Sequence, residues 1–223
     1  MQKAWGYILE IFFAPLCVSC GKYLSFKTDN KTLVCNICFE SIPIYKTVFY
    51  GPRFTLSAVS SYDNETVRKL LQAFKYRGFE KAKRPIGALI GKYLDGVNLR
   101  NMLSKNTIII PIPLHKKRLR ERGFNQAEEI TKILGSYLGL SIQNKILIKT
   151  LDTKHQTSLA NKDERLKNVS GSLAISGDAN LKGKNILLVD DVYTTGATMN
   201  EAIKVLRRSG TKEIFAFVVA KTN

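Results

Sequence analysis

Acidic residues are scarce in this chain: 18 Asp and Glu stand against 35 Lys and Arg, a net charge of +17 over 223 residues. Such an excess attracts nucleic acid, anionic lipid or polyphosphate ligands; a plain solubility surface is the competing reading. Cysteine is absent after Cys38, so no later thiol can pair with the early ones. No stretch is long and apolar enough to span a bilayer: Trp5 to Leu16 is interrupted by Glu10, and the segment reads as a short amphipathic helix. With no secretory signal either, the expectation is a cytoplasmic protein. There is no Gly-Lys-Ser/Thr phosphate loop and no G-x-G-x-x-G turn, which excludes the two commonest nucleotide-binding signatures. Internal repeats and low-complexity tracts are also missing. At 44% hydrophobic residues, the chain can bury one good core and a small appendage.

The most informative segment present is Ile186 to Met199, ILLVDDVYTTGATM. Four apolar residues end in two adjacent carboxylates, Asp190 and Asp191, and a short loop is expected from Val192 to Thr198. A helical pattern follows, with Met199, Ala202, Ile203 and Leu206 on one face. A strand that runs through a Thr/Gly loop into a helix start gathers unpaired backbone N–H groups at the positive end of the helix dipole. That is a phosphate site. Like charges repel, so Asp190 and Asp191 cannot share the phosphate; they suit vicinal sugar hydroxyls or a divalent cation. Phosphate at one end and a diol at the other describe ribose 5-phosphate. The order Asp190-Asp191, Thr194-Thr195-Gly196-Ala197-Thr198 resembles the signature of type I phosphoribosyltransferases, which bind 5-phosphoribosyl 1-diphosphate (PRPP).

Cys17-Val-Ser-Cys20 and Cys35-Asn-Ile-Cys38 have the spacing of a tetrahedral four-thiolate zinc site. A closed set of four cysteines leaves no open position for substrate, so the zinc is expected to be structural. The reading is of two units: residues 1–48 as an N-terminal helix with a zinc ribbon or knuckle, and 49–223 as the main domain. In the latter, strands are expected at Thr55–Tyr62, Thr107–Ile110, Ile186–Val189 and Ile214–Val219. Helices are expected around Val67–Phe74, Ile86–Tyr93, from about Asn125, and over Met199–Ser209 with Gly210 as cap. Alternating strands and helices predict an α/β fold with a mainly parallel, doubly wound sheet and sites beyond the strand carboxyl ends.

After the second strand comes Pro111-Ile112-Pro113-Leu114-His115 and then Lys116, Lys117, Arg118, Arg120 and Arg122. These cations are either a second anion site, suited to a diphosphate, or a solvated basic loop. Arg122-Gly123-Phe124-Asn125-Gln126 completes a pattern that closely resembles the ComF family of competence proteins. The four cysteines, Lys75-Tyr76-Arg77-Gly78 and the PRPP loop follow in the family's order. So does His155-Gln156-Thr157-Ser158-Leu159 continuing to Arg165, Asn168 and Val169, although Thr150 to Lys154 replaces the arginines common there.

The resemblance implies a type I phosphoribosyltransferase-like domain that binds PRPP with Mg²⁺. Asp190 and Asp191 would serve the ribose hydroxyls, Thr194 to Thr198 the 5′-phosphate, and Lys116, Lys117, Arg118 and Arg122 the diphosphate. It also implies work on single-stranded DNA during natural transformation, beside a helicase-like partner. Two alternatives remain open: an active transferase with an unidentified acceptor, and a non-catalytic PRPP sensor. Lys75, Tyr76 and Arg77 either line an acceptor pocket or pack on the surface.

Overall fold

The structure, a computed structural model, describes residues 16–24, 33–76, 79–152, 167–177 and 179–222. The expected N-terminal helix lies outside the described residues apart from Leu16, as do Arg77-Gly78 and the segment from His155 to Arg165.

A six-stranded sheet has the order β1 (Phe49–Tyr50), β2 (Thr55–Ser61), β8 (Ile214–Lys221), β7 (Asn185–Tyr193), β3 (Thr107–Pro111) and β4 (Ser141–Ile142). Only β1 is antiparallel to its neighbour; the other four pairings are parallel. The expected α/β class with a mainly parallel sheet is what forms. Strand β7 shows why. Ile186, Leu187, Leu188 and Val189 are all fully buried, because side chains alternate between two covered faces. Leu187 and Val189 join a core with helices α2 (Glu65–Phe74), α3 (Phe79–Gly96) and α6 (Gln126–Leu138). Ile186 and Leu188 join the opposite core with Met199, Ala202, Ile203 and Leu206 of α7 (Ala197–Arg208). Each such side chain contributes roughly 1.5–3 kcal/mol, so β7 is anchored on both faces.

Several boundaries differ from the sequence expectation. Strand β7 runs on through both aspartates to Tyr193, since Val192 and Tyr193 pair with Ala220 and Lys221 of a longer β8. The expected loop therefore shrinks to 194–196, and Ala197 and Thr198 lie in the first turn of α7. The basic stretch is no loop either; it forms helix α5 (Lys116–Arg122). His115 caps it, its Nδ1 accepting from the Lys117 amide at 3.4 Å, and Gly123 ends it at φ 82°, a conformation that favours glycine. An unexpected antiparallel pair, β5 (Leu147–Lys149) with β6 (Leu173–Ile175), packs Leu147 and Leu173 into the α7-side core. Helices α1 (Asn36–Glu40) and α4 (Leu99–Met102) are short additions.

The cysteine-bearing segment is docked on the larger body. Cys17, Leu24, Val34 and Ile42 are buried in the same core as α2 and α3, and the Ser19 hydroxyl lies 2.7 Å from that of Thr66. Among the described residues, no helix is long and apolar enough to cross a membrane.

Candidate functional site

The parallel strands β2, β8, β7 and β3 all end on one edge of the sheet, and Asp190 and Asp191 lie there on the central strand. The Asp190 Oδ1 accepts from the Asp191 amide at 2.8 Å. Burial, then the charge of Asp191, pushes the Asp190 carboxyl up to about 8. Asp191 is answered from another element: its Oδ2 is 2.8 Å from Nζ of Lys75, at the end of α2. Burial pulls the Lys75 ammonium down, but the Asp191 carboxylate outweighs it and holds the lysine above its ordinary range.

The turn after β7 is built for close approach. Gly196 has φ 74°, and a Cβ there would come within 2.7 Å of the Tyr193 ring. Only glycine fits. Its carbonyl accepts from the Asn200 side chain at 2.9 Å, and the Thr195 hydroxyl accepts from the Ala197 amide at 3.4 Å. The Thr222 amide donates to Tyr193 O at 3.0 Å, tying the turn to the end of β8. The first turn of α7 thus begins beside Thr194 and Thr195, and the acid pair stands just before them.

The cations of α5 divide. Lys117 and His115 both face Asp152, at 3.6 and 3.5 Å. Arg122 donates to Gln126 Oε1 at 3.0 Å and lies over the Tyr76 ring at 5.8 Å, so Tyr76 packs against it. Lys116 is exposed. Arg118 turns inward, where burial lowers its pKa. Beside it is Lys149 of β5, which burial, then the Arg118 charge, pulls down to about 8, against the attraction of Asp190 and Asp152. Lys149 therefore shares its electrostatic surroundings with both the acid pair and Arg118. Nothing local in the sequence shows this, because β5 pairs with β6 outside the main sheet. Asn125 has a framework role: it caps α6 through the Ala127 amide and donates to Ile112 O at 3.0 Å.

The four cysteine sulfurs lie within 4.8 Å of one another, with 3.8 Å between Cys20 and Cys35. That distance is nearly twice a disulfide bond. It matches the edge of about 3.8 Å that Zn–S bonds of roughly 2.3 Å generate in a tetrahedron. Without a cation the thiols cannot ionise together. Burial is outweighed at Cys17 by backbone amides of Cys20, Cys35 and Ser19, bringing it to about 7. At Cys38 the Ser19 hydroxyl pulls downward, but burial and the three other cysteines push the thiol up to about 12. A divalent ion resolves this conflict, so the donor set fits zinc. A cavity of about 660 Å³ lies elsewhere, at the opposite sheet edge beside Thr107, Ser141 and Lys184. Ligands of parallel α/β sheets bind beyond the carboxyl ends, so it is not the principal candidate.

Comparison with known proteins gives the family of the chain. The family pattern described as "Phosphoribosyl transferase domain" matches residues 122–223, from the end of α5 through β8. The chain thus has a mainly parallel α/β fold carrying a phosphoribosyltransferase domain, with a four-cysteine cluster near its N-terminus. It is 31% identical to Competence protein F of Haemophilus influenzae over 93% of this chain and 85% of that one. To Competence protein ComFC of Bacillus subtilis it is 32% identical, over 66% of this chain and 56% of that one. The chain belongs to the ComF/ComFC family of competence proteins. Among solved structures, a purine phosphoribosyltransferase from Pyrococcus horikoshii overlaps 62% of this chain and 82% of its own, at 18% identity and TM-score 0.33.

Proposed function

We propose that this chain binds PRPP with Mg²⁺ at the carboxyl end of β7, carries a structural zinc ion on Cys17, Cys20, Cys35 and Cys38, and handles single-stranded DNA in the cytoplasm during natural transformation, beside a helicase-like partner. The observation that carries the first part is the glycine turn at Gly196, which joins an acid pair to the N-terminal turn of α7. In this reading Thr194, Thr195, Gly196, Ala197 and Thr198 enclose the 5′-phosphate. Asp190 faces the ribose hydroxyls, and Lys75 holds Asp191 in place. Arg118 and Lys149 meet the diphosphate, with Lys116, Lys117 and Arg122 farther out along α5. Bound Mg²⁺ would neutralise diphosphate charge and take carboxylate oxygens of the acid pair, a donor set that suits this hard cation.

The DNA part rests on kinship with proteins named for competence and on the +17 charge. Calorimetric titration of PRPP, with and without Mg²⁺, tests the sugar-phosphate site. Saturable binding in the native protein, lost in a folded Asp190→Asn/Asp191→Asn variant, is the expected result. No binding to folded, zinc-loaded native protein would overturn it.

A further inference from the structure

Residues 41–62 contain no Asp or Glu but carry Tyr45, Phe49, Tyr50 and Phe54 with Lys46 and Arg53. The fold concentrates them. Register pairs Phe49 with Leu56 and Tyr50 with Thr55, and a Gly51 amide bond to Phe54 O at 3.1 Å closes the turn between. The Phe54 ring then lies 6.3 Å from that of Tyr193, the residue just before the glycine turn. Lys221, at the end of β8, sets its ammonium 4.7 Å from the Phe49 ring centre and 5.8 Å from that of Tyr45. Between these groups is a pocket of about 240 Å³, lined by Phe49, Tyr50, Phe54, Tyr193, Lys221 and Thr222. Tyr50 is 78% exposed, a large ring facing solvent. Lys46 and Arg53, next in the chain to Tyr45 and Phe54, are exposed, as is Arg207, whose guanidinium donates to Arg53 O.

We infer that this pocket stacks one unpaired nucleobase of a single-stranded nucleic acid, the rim cations following the adjoining phosphates. Sites that bind single strands combine aromatic faces with a basic track, because every base offers a π-face and every linkage a negative charge. The volume is below the roughly 300–1,000 Å³ that encloses a drug-sized ligand, so it suits one ring. A free base would leave the rim cations without a role, and a duplex keeps its base faces covered. Tyr193 lines this pocket and immediately precedes the glycine turn, so the stacked base lies against the sugar-phosphate site. The inference rests on the single-strand reading above and is independent of PRPP binding.

The test is fluorescence anisotropy with a labelled twelve-nucleotide oligothymidine and an abasic strand of equal length and charge. Native protein is expected to bind the oligothymidine about tenfold more tightly, as base–aromatic stacking implies. Tyr50→Ala should abolish that preference without changing affinity for the abasic strand, and Tyr50→Phe should keep it. If Tyr50→Ala melts early, Tyr50→Leu replaces it, retaining apolar bulk without a π-face. Equal native affinity for the two strands would overturn the stacking site while leaving single-strand binding intact. No binding of either strand would overturn both readings. A preference that survives in Tyr50→Ala or Tyr50→Leu would overturn the assignment to this pocket. Competition by free thymidine as effective as by the strand would overturn the commitment to a strand.

Discussion

The ammonium of Lys75 and the carboxylate of Asp191 meet at 2.8 Å, joining the end of α2 to the end of β7. Both side chains are largely withdrawn from water, so each needs the other. Lys75→Met should cost about 2 kcal/mol, less than the loss of a fully buried pair, because some solvent reaches both groups. The melting temperature should fall accordingly, and Asp191→Asn added to it should recover part of the loss. A double variant no more stable than Lys75→Met would show that the pair is not what the lysine serves.

Gly196 is the position where one carbon atom matters most. Gly196→Ala would place a methyl group against the Tyr193 ring and hold alanine at φ 74°, at a cost of about 1–3 kcal/mol. The turn should open to relieve it. Calorimetry should show PRPP affinity at least tenfold weaker, while circular dichroism stays near native.

Asp190 should leave a signature in stability against pH. Its folded pKa, about 8, lies above the unfolded value, so the folded chain holds the extra proton between roughly pH 4 and 8. Stability from this group is complete below the unfolded pKa and is lost as pH rises through the folded one. Asp190→Asn should remove that decline and melt higher than native protein at pH 8.5, by about 2–4 °C for each kcal/mol recovered. Melting curves at pH 6 and 8.5 measure it; an unchanged pH slope would contradict the assignment. Lys149 is depressed to about 8 and works oppositely, its penalty fading as pH rises from there toward the unfolded value, so Lys149→Met serves as the control.

Metal removal should be felt beyond the cysteines. Cys17 and Val34 share a core with α2, so chelation should lower the melting temperature of the whole protein rather than release a separate unit. Metal analysis should find one zinc per chain, and Cys35→Ser should reduce both zinc content and melting temperature. Full stability without metal would contradict a structural zinc.

Much of this is legible in order along the chain. Ile186 to Val189 reads as a strand buried on both faces, and each of its residues is covered in the structure. The cysteine spacing announces a cluster, and four sulfurs do converge. The basic run reads as a loop because charge says nothing of backbone, yet KKRLRER contains no helix breaker, and His115 and Gly123 cap it. From the sequence, Ile44 to Pro52 looks like a short connection, since β1 has only two residues and no periodicity to show.

By itself, the sequence determined what is encoded over a few residues: the strand–turn–helix that brings an acid pair beside a helix start, the thiol pairs, and the faces of the main helices. Steric preference, hydrogen bonding and side-chain period act at that range. Tertiary structure alone decided which distant groups share the site. The packing of α2 on the sheet brought Lys75 to Asp191, the separate β5–β6 pair set Lys149 near the charge of Arg118, and the sheet order laid Phe54 against Tyr193. Those meetings depend on packing two cores against one sheet, and the shifts in Asp190 and Lys149 depend on the water that this packing removes.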